Sequence, residues 1–546
     1  RGAVRAQVIA LPDADQTPED FVLARRLAEN SCLVLAPVLI SRESTFSGNP
    51  AVRMTRQPHR EFIYRMAYEM GRHVIGYEIQ KALAAVDWFA QRKPPLPIGV
   101  AGDGEGGLVA LHAAALDERV NAALVTGYSG PGPEVWSEPI YRSVWSQLNG
   151  YRRADIEGMI APRALAGELA PFLRALKVTG ALRPAGPEPK FAGVADPVAR
   201  QRRQFRQMVE FTQSLVRRSG GVRREFWREA DTSSVARWEE SVEPNRQRLR
   251  EEVIGRMPAP SEPLAAQSRK AYETAAFTGY ELVLPVWPDV FASGILLVPK
   301  DLKAGERRPV VVCQHGLEGR PHDLVDPPNE RAGRVYQRYA AALAERGFIV
   351  YAPQNPYVGG EKFRVLVRKA HPLKLSLFSF IIGQHQRTLE WLATLPFVDA
   401  SRIGFYGLSY GGKTAMRLPA LLKEYALSIC SADFNEWIWK ITSVDEPFSY
   451  MFTNEYDMLE FDLGHTFNYA DMAAMIAPRP FMVERGHKDG VGIDEWVAYE
   501  YAKVRRFYTF LGIGDRTTIA FFDGPHAIHG AETYDFLHRH LKWRRR

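Results

Sequence analysis

The sequence predicts an α/β fold: two doubly wound domains in tandem, each with a mainly parallel sheet, joined by a helical connector. Three observations predict it. Short apolar runs of buried-strand type alternate with helical patterns through both halves, as βαβ units with right-handed crossovers require. The order of these elements in the first half repeats in the second. Between about Pro171 and Ser268 the pattern changes to a Pro/Gly-rich break and then Arg/Glu-rich segments, with sparse apolar positions such as Phe205, Met208, Val209 and Phe211 at helical spacing. The expected boundaries are 1–170 for the first domain, 171–265 for the connector and 266–546 for the second domain.

The repeat can be followed element by element. Arg308-Pro-Val-Val-Val-Cys-Gln-His-Gly316 reads as a strand and loop, followed by a helix ending at Gly347 and the strand Phe348-Ile-Val-Tyr-Ala-Pro353. The first half has Arg5-Ala-Gln-Val-Ile-Ala-Leu-Pro12, a helix ending at Asn30, and Cys32-Leu-Val-Leu-Ala-Pro37. A helix from Gly76 through Trp88 matches one from Gly383 through Trp391, and each runs on into a strand and a glycine-rich turn. After the turns come Ala122-Ala-Leu-Val and Ala426-Leu-Ser-Ile-Cys430, then Met159-Ile-Ala-Pro-Arg163 and Met475-Ile-Ala-Pro-Arg479. Only the second domain has an opening hairpin, Tyr280–Trp287 and Ser293–Pro299. The first domain therefore reads as incomplete at its start.

Composition bounds the rest. In 546 residues, 46% are hydrophobic and 24% charged, as in an ordinary globular protein with enough material for two large cores. No run approaches the roughly 18 to 20 apolar residues that cross a bilayer, so no membrane span is expected. The chain opens at Arg1 almost directly on a strand. A secreted or periplasmic location is expected if a signal peptide has been removed, and otherwise the compartment is open. Cys32, Cys313 and Cys430 are odd in number, far apart and inside apolar runs, so all three read as buried free thiols. The net charge of +7 comes mostly from arginines between about Arg200 and Arg256 and at Arg544, Arg545 and Arg546. The interleaved glutamates make a solvated helical face, and no nucleic-acid partner is expected.

The chemistry gathers at Arg402-Ile-Gly-Phe-Tyr-Gly-Leu-Ser-Tyr-Gly-Gly412, which reads as strand, sharp turn and helix with Gly407-Leu408-Ser409-Tyr410-Gly411 as a nucleophile elbow. A serine hydroxyl needs a base and an acid that orients the base, and this elbow takes them in the chain order Ser, acid, His. His526 follows a final apolar strand and is the expected base, with His529 as the near rival. Asp489, after the strand beginning at Arg479, is the expected acid, against Glu484, Asp494, Asp433 and Glu436. Negative charge developing on an ester oxygen calls for backbone donors, expected at Tyr410 and at Leu317 beyond His315-Gly316. In the first half the elbow reads Gly102-Asp103-Gly104-Glu105-Gly106, with Gly104 at the serine position and Leu11-Pro12-Asp13 in place of the His-Gly loop. That domain reads as catalytically dead.

These residues resemble the α/β-hydrolase superfamily, and more narrowly the bacterial acetylxylan-esterase-like and dienelactone-hydrolase-like proteins. The resemblance runs through 266–546 at His315-Gly316, Gly407–Gly412, Ala477-Pro-Arg-Pro and Gly524-Pro-His526, and covers 1–170 in degenerate form. It implies a carboxylic ester hydrolase without metal or cofactor, forming an acyl-enzyme at Ser409 and acting on acetylated or otherwise esterified carbohydrate or on small aryl esters. Trp437, Trp439, Phe448, Tyr450, Phe452 and Tyr456 lie where this fold inserts a cap. Trp437, Trp439 and Lys413 are the expected substrate contacts, with the cap aromatics reading equally as core of the cap, and with Lys413 and Arg417 on one helix reading also as helix-surface charge. Two alternatives are a serine peptidase of prolyl-oligopeptidase type, which would need an amino-terminal propeller, and a non-catalytic scaffold.

Overall fold

The computed structural model describes residues 3–50, 52, 57–188, 196–360, 362–453 and 458–544. Arg545, Arg546 and Tyr456 lie outside the described residues. The chain divides into two compact units at Arg217/Arg218, and the first also takes in His371–Lys374 and a short stretch from Met451. The expected α/β class, with parallel-centred sheets, is what the chain adopts.

In the first unit five strands, β1 (Ala6–Leu11), β2 (Cys32–Leu35), β3 (Ile98–Asp103), β4 (Val120–Thr126) and β5 (Ala164–Ala166), form a sheet in the order β2-β1-β3-β4-β5. Every pairing is parallel. Every residue of β1 is buried, because helices cover both faces of such a sheet, and this is why the strand reads as a continuous run rather than an alternation. Phe21, Leu27, Phe172, Leu173 and Leu176 close one of these faces. Strand order reverses between β1 and β3, the point at which a fold of this kind usually places its crevice.

The second unit holds β6 (Gln267–Glu273), β7 (Phe277–Trp287), β8 (Val290–Pro299), β9 (Arg308–Gln314), β10 (Ile349–Pro353), β11 (Val398–Leu408), β12 (Tyr425–Ser431), β13 (Phe481–Gly486) and β14 (Thr517–Phe522). Their order is β14-β13-β12-β11-β9-β10-β8-β7-β6. The six strands from β9 on are parallel, and β8, β7 and β6 add an antiparallel edge. The expected hairpin is β7 and β8. Strand β6 was not anticipated. It is an exposed edge strand whose Arg269 and Lys270 discourage pairing with another chain.

Most of the described residues of 171–265 are helical. Leu169–Ala175 packs Phe172 and Leu173 into the first core, and the long helix Pro197–Phe226 contains the division between units. Beyond it, within the second unit, Trp227 Nε1 donates to the Thr466 carbonyl at 2.9 Å, Trp238 Nε1 to that of Ala474 at 3.1 Å, and Arg246 to those of Ala420 and Met475 at 2.8 Å each. All three cysteines are free and buried, and burial pushes the Cys32 thiol up to about 12. Among the described residues no helix is long and apolar enough to cross a membrane.

Candidate active site

Strand β11 ends in a turn that only a particular residue pattern can make. Ser409 sits at φ 57°, ψ −120°, between β11 and the helix Tyr410–Leu421. A non-glycine residue held there is strained by about 1–3 kcal/mol, a cost that persists where surrounding structure over-determines it. The surroundings do so here. A Cβ on Gly407 would lie 2.0 Å from the Gly411 carbonyl oxygen, and one on Gly411 would lie 2.3 Å from that of Gln314. Both glycines are therefore fixed by contact with backbone. Ser409 N–H donates to the Ser431 carbonyl at 2.9 Å, tying the turn to β12.

The loop after β9 closes on this turn. A Cβ on Gly316 would stand 3.3 Å from Ser409 Cβ, so His315-Gly316-Leu317 lies against the candidate nucleophile. Tyr336 Oη accepts the Gly316 N–H at 3.0 Å, and Tyr357 Oη donates to the Leu317 carbonyl at 2.7 Å. His315 is fully buried, with Nδ1 2.6 Å from the Gly316 carbonyl oxygen. Burial lowers its pKa to about 4, so it is a neutral fixture of the loop.

Strands β13 and β14 bring the other two groups to the same carboxyl edge of the sheet. His526 Nδ1 and Asp489 Oδ1 are 2.9 Å apart. Val491 N–H donates to the same Oδ1 at 3.0 Å, and Arg485 Nη1 lies 3.1 Å from Oδ2. Burial pushes the Asp489 pKa up, but the hydrogen bond and charge of His526, together with Arg485, more than reverse it. The carboxyl therefore stays below its ordinary range and ionised. With Nδ1 committed to Asp489, Nε2 is the nitrogen left to take a proton.

The rival groups are engaged elsewhere. Glu484 accepts from Tyr406 Oη, Ser431 Oγ, Gly530 N and Thr533 Oγ1 at 2.7–2.9 Å, binding three strand ends to the helix Ala531–His540. Asp494 pairs with Arg485 and His487, and Asp433 accepts from Tyr469 Oη at 2.6 Å. Glu436 caps the helix Trp437–Thr442 through Trp439 N–H, and His529 stacks on Phe522.

Of the expected substrate contacts the structure leaves Trp439 accessible. It is 36% exposed and stacks on Tyr499 with ring centres 5.3 Å apart and planes 13° apart. Lys413 and Trp437 are buried, contrary to expectation. Lys413 donates to the Met458 carbonyl and lies 3.5 Å from Glu460, because Arg417 and Lys413 together neutralise that buried carboxylate. Trp437 stacks on Tyr469 in the interior. Sequence reasoning missed Arg485, whose spacing of four from Asp489 is the signal that could have found it.

The first unit reproduces the turn without the hydroxyl. Gly104 sits at φ 55°, ψ −118°, and its N–H donates to the Thr126 carbonyl at 3.1 Å, as Ser409 does to Ser431. The carboxylate of Asp13 fills the place of a side chain there, with Oδ1 2.5 Å from where a Gly104 Cβ would stand. That oxygen accepts the N–H of Glu105, the counterpart of Tyr410, at 2.9 Å. Arg42 grips both Asp13 oxygens at 2.8 and 2.9 Å. Burial opposes ionisation of Asp13, yet the Arg42 hydrogen bonds and the Glu105 and Ala14 N–H groups outweigh it and lower its pKa to about 2. Sequence reading saw Asp13 only as the loss of a His-Gly loop. Gly104→Ser is expected to create no hydrolytic activity in a Ser409→Ala background, and to cost about 1–3 kcal/mol from overpacking and strain. An aryl acetate assay and a thermal melt check the two halves of that expectation.

Among the described residues no group of three or more His, Cys, Asp or Glu side chains is placed to hold a metal ion. No family model matches the chain. Among solved structures, the chain is similar to a putative acetyl xylan esterase from Bacteroides fragilis, at 20% identity over 53% of this chain and 76% of that one, with a TM-score of 0.44. It is similar to a glucuronoyl esterase from Solibacter usitatus, at 14% identity over 57% and 94% of the two chains, with a TM-score of 0.44. It is also similar to acetyl xylan esterase 1 from Thermoanaerobacterium sp., at 15% identity over 59% and 98%, with a TM-score of 0.38.

Proposed function

We propose that the chain is a carboxylic ester hydrolase whose second unit forms an acyl-enzyme at Ser409, with His526 as general base and acid and Asp489 as its orienting carboxylate. The observation that carries the reading is the His526–Asp489 pair, delivered by β13 and β14 to the sheet edge where β11 presents a strained serine. A hydroxyl in that position is a poor nucleophile until a neutral imidazole takes its proton, and the ionised Asp489 stabilises the imidazolium so formed. Tyr410 N–H, at the head of its helix, and Leu317 N–H are the donors for the tetrahedral oxyanion. Proton transfer back from His526 to the departing alcohol leaves the acyl group on Ser409. Water then repeats the sequence to release the acid.

The substrate class we favour is esterified carbohydrate, with small aryl esters as the simplest surrogates. The half-exposed Trp439 on Tyr499 gives a flat aromatic face on which a sugar or aryl ring can stack. The first unit is read as a hydrolase-like domain without catalysis of its own, since Asp13 and Arg42 occupy the ground that substrate would need. A five-stranded parallel sheet stands where the peptidase alternative requires a propeller.

The test is covalent. A fluorophosphonate probe is expected to add one phosphonyl group to the wild type at Ser409 and none to Ser409→Ala, as read by intact mass and peptide mapping. A panel of acetyl, feruloyl and glucuronoyl esters then ranks the acyl groups. Labelling elsewhere, or none, removes the triad reading and brings the scaffold alternative forward.

A further inference from the structure

We propose that Lys440 is a positioning residue for the catalytic acid, joining the helix Trp437–Thr442 to the turn that carries Asp489. The proposal rests on the esterase reading above. Lys440 is 2% exposed, and its Nζ donates to the carbonyls of Phe448, at 3.0 Å, and Val491. It also lies 3.9 Å from the centre of the Tyr450 ring. Among the described residues no carboxylate lies within ion-pair distance of that ammonium.

The Val491 end of this contact matters most. The carbonyl of Val491 is held by Lys440, while its N–H donates to Asp489 Oδ1, the same oxygen that meets His526 Nδ1. Lys440 therefore fixes the orientation of the residue that orients the acid. From the other side, Arg485 Nη2 donates to the Gly492 carbonyl at 2.7 Å while Nη1 faces Asp489 Oδ2. The turn 489–492 is clamped between two nitrogen donors, Arg485 from β13 and Lys440 from the helix Trp437–Thr442.

The charged groups that face Lys440 are Asp433 beyond β12, and Arg485 and Asp489 of β13 and its turn. A buried ammonium with no carboxylate in contact is costly, and a methionine of similar length would remove that cost. The cost of burying this lysine is offset if its charge and its donors are used. Both act on Asp489, the charge by favouring the carboxylate and the donors by holding its turn. Burial lowers the lysine's pKa to about 7, with Asp433 and Asp489 pulling the other way.

The experiment compares wild type, Lys440→Met and Lys440→Gln in two readouts. With an aryl acetate, Lys440→Met is expected to lower kcat by about 30- to 100-fold with KM within about twofold, the size of effect a slight misplacement of a catalytic group produces. Lys440→Gln, which keeps a donor, is expected to fall between them. In a Ser409→Ala background, the low-field proton resonance of His526 Nδ1–H is expected to broaden or move upfield in Lys440→Met while the melting temperature holds or rises. A merely structural lysine predicts the reverse, with a lower melting temperature and an intact resonance, and that result overturns the proposal. So does an unchanged kcat with an unchanged resonance. The resonance arm needs no substrate, so failure of the esterase reading and failure of this proposal remain distinguishable.

Discussion

Ser409→Ala is expected to lower kcat/KM for an aryl acetate by about 10⁴- to 10⁶-fold while leaving the melting temperature at or near that of wild type. The hydroxyl is the one atom lost, and alanine meets the same backbone strain at φ 57° that serine already bears. Asp489→Asn is expected to cost about 10⁴-fold, or roughly 5.5 kcal/mol in the barrier, because a neutral amide neither holds the Nδ1–H tautomer of His526 nor stabilises its imidazolium. The two variants need not add, since nucleophile and acid act as one unit and either loss leaves only oxyanion stabilisation and binding. Steady-state kinetics on both variants and on the double variant check this. Equal activity in wild type and Ser409→Ala removes Ser409 from the chemistry.

The features that could be read from sequence are those whose causes are local. The elbow at Ser409 was legible because part of its pattern has a local cause, the 2.0 Å approach of a Gly407 Cβ to the Gly411 carbonyl, although Gly411 answers to the distant Gln314 carbonyl. Gly104 keeps the backbone angles of Ser409 without the hydroxyl, as the glycine pattern of both turns predicted. Which carboxylate meets His526 was less legible. Glu484 lies on β13 itself, but four donors from three other elements consume it, and no spacing rule reports donors that the fold brings together. The burial of Lys413 and Trp437 was not legible, because their partners, Glu460 and Tyr469, lie in a later segment whose packing the sequence pattern does not reveal. Asp13 escaped notice because its role exists only where the first strand's loop crosses the elbow, 92 residues away.

The largest stability effect is expected in the first unit, from Arg60→Met. Arg60 is fully buried, with Nη2 2.8 Å from Glu78 Oε2 and 3.4 Å from Glu105 Oε2, and both carboxylates are without exposure. Arg60 also donates to the Ile40 carbonyl at 2.9 Å. Removing the guanidinium leaves Glu78 buried without its cation. Breaking a buried pair in this way costs about 3–5 kcal/mol, whereas replacing both partners with apolar groups is often neutral. For a unit of this size that loss lowers the melting temperature by about 10 °C. Glu105 retains Arg142 at 2.8 Å and Arg42 at 3.4 Å, so it is the Glu78 charge that the variant strands. Arg60→Met with Glu78→Leu is therefore expected to recover most of the loss, by calorimetry of the full chain. The network also sets a pH dependence. Asp13 is depressed to about 2, so its contribution is present above the unfolded value near 3.8 and is lost as pH falls through its folded pKa. Arg42→Met, which removes the main cause of that depression, is expected to flatten the acid limb of the melting curve. If the double variant at Arg60 and Glu78 melts as low as the single one, the cost lies in lost packing rather than in a stranded charge.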